Sequence, residues 1–176
     1  GRSFYQIVRQ PDFPTPHPLA SDRRGDMLLL INGLPLFHVE LKRSGVAVSQ
    51  AANQIQKYAH EGVVSNGLLS LVQVFVAMTP EETLYFANPG KTGVFKPEFF
   101  FHWEDLNNEP VNKWLDVAEK LLSIPRAHEM IGYFTVADKG DGVLKVMRSY
   151  QVIAAEQIVG QARKKDWYDV NPRGGY

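Results

Sequence analysis

The stretch GDMLLLINGLPLFHVELKRSG, residues 25–45, decides how the chain is read. Met27 to Ile31 is a short apolar run bounded by turn signals, the pattern of a strand buried on both faces. Asn32-Gly33 is a hairpin signal, and residues 35–41 return as a second strand. Asp26 opens the first strand, while Glu40 and Lys42 stand two apart on the second and therefore share a face. Whether Asp26 joins them depends on the turn. A two-residue loop would pair Asp26 with Val39 and leave Glu40 on the far face. An odd loop centred on Gly33, of three or five residues, would pair Asp26 with Glu40. A two-carboxylate metal site requires the second arrangement, so the odd loop is expected.

Outward from the hairpin, residues 47–62 have helical composition, with Ala51, Ala52, Ile55 and Ala59 on one side and Gly62 as the stop. Gln54 and Tyr58 are four apart and neighbours on that helix. Upstream, residues 4–9 alternate like a strand, and the four prolines of residues 11–21 mark an extended loop outside the central sheet. Downstream, residues 68–78 and 83–87 read as strands separated by Thr79-Pro80-Glu81-Glu82. Residues 88–110 lack a period and read mostly as loop. Residues 111–122 read as an amphipathic helix with Val111, Trp114, Leu115, Ala118, Leu121 and Leu122 on its apolar face. Pro125 fits the first turn of a short helix reaching Ile131, and a long helix should run from Ser149 to about Lys165.

Composition narrows the possibilities. The 176 residues are enough for one domain, or one and a piece of another. The absence of cysteine excludes disulfides and thiolate-held metals. Nothing in the sequence has the length and apolarity of a bilayer-spanning helix. Zero net charge argues against a general nucleic-acid coat. That zero is an average: residues 1–62 carry +2, residues 63–138 carry −5 and residues 139–176 carry +3.

Two carboxylates offering hard oxygens suit Mg²⁺, which keeps waters and contacts substrate phosphate. A neighbouring lysine can orient water or meet developing negative charge. Asp26 and Glu40 are therefore candidate metal ligands, with the Leu41 carbonyl as a third, and Lys42 is the candidate catalytic lysine. Glu-x-Lys alone is a weak signal, and a surface ion pair produces the same triplet. Placement at the end of an apolar hairpin strengthens it. The histidines His17, His38, His60, His102 and His128 show no metal-binding spacing, although His38 shares a strand face with Glu40.

The run RGDMLLLINGLPLFHVELKRSG followed by AANQIQKY resembles the nuclease region of the restriction-and-translocation subunit of type I restriction–modification enzymes. The resemblance implies an α/β fold of the PD-(D/E)xK nuclease type, a mixed central sheet flanked by helices. It also implies catalytic roles for Asp26, Glu40, Lys42, Gln54 and Tyr58. Residues 131–176 are similar to the entry into the first RecA-like motor domain of that subunit. There Arg148 and Gln151 match its adenine-reading motif.

The implied layout is an endonuclease-like domain over 1–124, a connecting segment over 125–147 and the start of an ATPase domain over 148–176. No G-x-x-x-x-G-K-[ST] occurs, so a fragment of a longer protein is expected. The implied activity is Mg²⁺-dependent cleavage of double-stranded DNA after ATP-driven translocation, in the cytoplasm, alongside methyltransferase and specificity subunits. One departure stands out: no helix carrying a further acidic residue precedes residue 4. The rival expectation is a non-catalytic, nuclease-like DNA clamp or docking domain, whose carboxylates would lie too far apart to share an ion. A small-molecule site in the aromatic segment 95–103 is a third.

Overall fold

The computed structural model describes residues 2–14 and 21–164. His17, Lys165 and the terminal NPRGGY lie outside them. The centre is a five-stranded sheet ordered β1 (Tyr5–Arg9), β4 (Met27–Ile31), β5 (Leu34–Leu41), β6 (Val74–Met78) and β7 (Thr83–Ala87). Only β5 and β6 run parallel, and α1 (Val48–His60) lies in the connection between them. Two short pairs flank the sheet, β2 (Asp12–Phe13) with β3 (Arg23–Arg24) and β8 (Thr135–Ala137) with β9 (Leu144–Val146). The fold is mixed α/β around a mixed sheet.

Side-chain alternation divides the core into two layers. On one face Phe13, Leu28, Phe75 and Ala77 pack against Ala51, Ala52, Ile55 and Tyr58 of α1. On the other, Leu29, Phe37, Val39, Val74 and Val76 pack with Val117, Leu121, Ala127, Met130, Val146 and Val152. The residues of that second set come from α2 (Trp114–Val117, continued by a π-helical turn Ala118–Leu122), α3 (Arg126–Gly132), β9 and α4 (Ser149–Lys164).

The hairpin turn differs from the expected odd loop, and the difference explains the site. Ile31 pairs with Leu34, so the loop is Asn32-Gly33, with φ of 53° and 80°, the left-handed pair of a two-residue type I′ turn. Pro35 pairs with Leu30 and has no N–H to give. The register then shifts, and Leu29 faces Phe37 while Met27 faces Val39. Leu36 is the extra residue of a β-bulge, which puts the consecutive Leu36 and Phe37 on the same face. The bulge supplies the one-residue offset that an odd loop would have supplied. Continuing the register, Asp26 stands opposite Glu40.

Two element boundaries also differ. Residues 67–71 form a 3-10 turn, not the start of a strand: Gly67 has φ of 57°, and the Ser70 hydroxyl donates to the Gly67 carbonyl at 2.7 Å. The helix expected over 111–122 begins only at Trp114, because Val111 donates its N–H to Trp103 at 2.7 Å in extended chain. Its wider π turn buries Val117 and Leu121 and leaves Trp114 and Leu115 exposed. The β8–β9 hairpin was not expected from the sequence.

Candidate active site

Asp26, Glu40, Lys42, Gln54 and Tyr58 converge beneath α1, at the β4–β5 end remote from the turn. Strand periodicity carries Asp26 and Leu28, and likewise His38, Glu40 and Lys42, toward the α1 face. Asp26 Oδ2 accepts the Leu41 backbone N–H at 2.7 Å, which ties it to β5 between Glu40 and Lys42. The Lys42 ammonium donates to Glu40 Oε1 at 3.1 Å, to the Leu41 carbonyl at 3.3 Å and to Gln54 Oε1 at 2.6 Å. The Gln54 amide in turn donates to the Tyr58 hydroxyl, which donates to the Arg24 carbonyl at 3.0 Å. Every donor in this chain has one direction, from β5 through α1 to the residues preceding β4. The Lys42 ammonium is thereby held from α1 through Gln54 as well as from its own strand through Glu40 and Leu41.

Electrostatics distinguish the two carboxylates. Burial raises the Asp26 pKa above its ordinary value, and the neighbouring Glu40 raises it further. The Leu41 N–H and the Lys42 charge oppose this. Glu40 is 1% exposed, and its Oε2 has no hydrogen-bond partner among the described residues. Burial also raises the Tyr58 pKa, so the phenol stays protonated and acts as a donor.

Two adjacent carboxylates, one with an orphaned oxygen, and a nearby backbone carbonyl make a hard-oxygen donor set. A hydrated divalent cation fits this set. Among the described residues no group of three or more His, Cys, Asp and Glu is placed to hold a metal, so water would supply the remaining ligands.

His38 is the neighbour whose part the sequence left open. It is 1% exposed, with Nε2 3.4 Å from Glu40 Oε2, and it lies over the Tyr58 ring with 6.0 Å between centroids. Neither ring nitrogen has a hydrogen-bond partner among the described residues. Gly25 closes the cage behind it: a Cβ there would come within 2.6 Å of the Phe13 ring and 3.1 Å of His38 Nε2. Asp12 pairs with Arg24 at 3.1 Å, apart from the Asp26–Glu40 pair.

Arg148 and Gln151 lie elsewhere, at the start of α4, whose Val152 packs on the opposite face of the sheet. The Gln151 carbonyl oxygen accepts the Arg148 N–H at 2.9 Å, as an N3 side chain caps a helix. The Arg148 guanidinium lies over the Phe101 ring, 4.7 Å from its centroid. The aromatic segment lines a separate pocket of about 270 Å³ with Phe95, Phe99, Phe100 and Phe101. The Lys145 on its wall is held by Asp138 and Asp141. Among the described residues no helix is long and apolar enough to cross a membrane.

The family described as "Type I restriction enzyme R protein N terminus" matches residues 1–94, the segment that holds all five candidate residues. The SauCOLORF180P endonuclease subunit of a Staphylococcus aureus type I restriction enzyme is 35% identical over 139 residues. The match covers 79% of this chain and 14% of the relative. The SsaAORF53P endonuclease subunit of Staphylococcus saprophyticus is 33% identical over the same length. The EcoprrI endonuclease subunit of Escherichia coli is 32% identical over 159 residues, 90% of this chain and 49% of the relative. The chain thus spans one-seventh to one-half of the length of these relatives. It belongs to the type I restriction enzyme R protein N-terminal family.

Proposed function

We propose that the chain is the nuclease portion of a restriction subunit, hydrolysing phosphodiester bonds of double-stranded DNA with Mg²⁺. The observation that carries the reading is the direct contact of Lys42 with both Glu40 and Gln54, beside Asp26. In a non-catalytic clamp nothing requires two carboxylates and a lysine to be drawn together under a helix. Asp26 and Glu40 would hold the cation, with the Leu41 carbonyl as a third oxygen. The ion, when bound, supplies positive charge to the attacked phosphate and acidifies water.

The side chains do the rest. Lys42 orients the attacking water and meets the charge that develops on the phosphate. Gln54 and Tyr58 hold the ammonium in place. Glu40 is buried under α1, which limits screening of its charge by bulk water, while Asp26 and Lys42 stay partly exposed. The PD-(D/E)xK assignment rests on this arrangement together with the family.

The longer protein is proposed to couple cleavage to ATP-driven translocation and to act in the cytoplasm with methyltransferase and specificity subunits. Residues 1–124 would be the nuclease domain, 125–147 the connection and 148–176 the threshold of a RecA-like motor. There Gln151 and Arg148 would face the adenine of ATP. The test is Lys42→Ala in the intact subunit within its complex. Loss of cleavage with ATP hydrolysis intact supports the role given to Lys42, and cleavage at the normal rate refutes it.

A further inference from the structure

The polar face of α1 next to the site has a use that the catalytic residues leave unexplained. Gln50, Asn53 and Lys57 stand at helical spacing on the exposed side of α1, and with Gln54, Tyr58 and Arg23 they line a groove of about 520 Å³. The groove runs directly into the Lys42–Gln54–Tyr58 chain, since Gln54 and Tyr58 belong to both. Apart from the Tyr58 ring its lining side chains end in amides and cations, the groups that bind phosphate oxygens.

The Arg23 guanidinium is fixed by two bonds to Glu61, at 2.7 and 2.8 Å, so it holds its orientation at the groove wall. Lys57 is mostly exposed, with its ammonium 4.0 Å from the same carboxylate. From Gln50 to Lys57 the helix rises about 10 Å. That length matches about three nucleotide steps along a duplex axis.

We propose that this face of α1 is a phosphate track, in which Lys57, Asn53 and Gln50 hold the backbone of the DNA strand flanking the bond to be cut. The inference rests on the nuclease reading for its ligand and on the groove for its residues. Lys57 supplies the charge and the two amides supply N–H donors. Contacts to phosphate oxygens fix position and carry no sequence information, so the track would read no sequence. The track sets which phosphodiester reaches Lys42.

The test uses this chain and a fluorescein-labelled 20-base-pair duplex, without divalent ion, with affinity measured against salt concentration. Lys57→Gln should weaken binding several-fold and reduce the log–log salt slope by about 0.9, the value of one phosphate contact. Asn53→Ala and Gln50→Ala should weaken binding and leave the slope unchanged, because they remove hydrogen bonds and no charge. Lys113→Gln, beside α2 on the other face of the sheet, should change neither.

A second duplex of unrelated sequence should show the same losses. A Lys57→Gln slope equal to that of the unmodified chain, or no duplex binding by the unmodified chain, would overturn the track. Mn²⁺ binding separates this from the catalytic reading. Lys57→Gln should bind Mn²⁺ as the unmodified chain does, and Asp26→Asn should lose Mn²⁺ while keeping the salt slope. A chain that shows the slope change but binds no Mn²⁺ would keep the track and overturn the catalytic reading.

Discussion

Asp26 accepts its hydrogen bond from the backbone N–H of Leu41, at 2.7 Å, and so sits against the strand position between Glu40 and Lys42. That contact depends on a bulge near the other end of the same hairpin. With the strict two-residue register set by Asn32-Gly33, Asp26 would face Val39 and the two carboxylates would point to opposite sides of the sheet. Deletion of Leu36 removes the extra residue. Leu29 would still pair with Phe37 and Met27 with Val39, so Asp26 stays opposite Glu40. The expected outcome is a chain that keeps its strand content in circular dichroism and still binds Mn²⁺.

The turn itself should be sensitive at the backbone alone. Gly33 has φ of 80° and nothing within 4 Å of where a Cβ would stand. Gly33→Ala should destabilise by about 1–2 kcal/mol, the usual cost of a left-handed conformation for an L-residue. Urea denaturation would read this as a lower midpoint with an unchanged slope.

Gly25 is constrained for the opposite reason. Its φ is not in the left-handed region, but a Cβ would meet the buried Phe13 ring at 2.5 Å. Gly25→Ala should destabilise by about 1–3 kcal/mol through overpacking. Phe13→Leu in the same chain should recover part of the loss, and a double-mutant cycle measures the coupling.

His38 should act on the metal through Glu40. Its Nε2 approaches the otherwise unpartnered Glu40 Oε2, and partners of that kind typically contribute tenfold or more to metal affinity. His38→Leu, which keeps an apolar core residue, should weaken Mn²⁺ binding by about tenfold. His38→Gln, which restores an N–H donor, should recover much of it.

Acid should loosen the groove through Glu61. The Arg23 hydrogen bond holds the Glu61 carboxyl below its ordinary value. The stabilisation is therefore fully present above the unfolded carboxylate's value and is lost as pH falls through the lower folded one. Glu61→Gln should lower stability at neutral pH, differ least from the unmodified chain in acid, and so flatten the stability–pH curve across that window.

The hairpin and the helix after it were legible because each rests on local rules, alternation and an Asn-Gly turn. The i, i+4 spacing made Gln54 and Tyr58 neighbours, but the resemblance rather than the spacing marked them as site candidates. The turn type was misread for a physical reason. The bulge at Leu36 leaves no mark in an apolar run, where every neighbour of Phe37 looks alike. The same holds for Trp114, whose place on an apolar face assumed an unbroken α-helix and not a π turn. His38 was visible as a strand neighbour of Glu40, but its orphaned nitrogens depend on Phe13, Phe75 and Tyr58, which come from three separate elements. The phosphate track had a readable signal in Gln50, Asn53 and Lys57 at helical spacing. That spacing gains meaning only once α1 is seen beside Lys42.

The central claim is that Asp26 and Glu40 share one divalent ion. Isothermal titration of this chain with Mn²⁺, repeated on Asp26→Asn and Glu40→Gln, tests it most directly. One site in the unmodified chain, abolished in both variants while their circular dichroism is unchanged, is the expected result. No Mn²⁺ binding by the unmodified chain, or binding that survives both substitutions, would contradict the account.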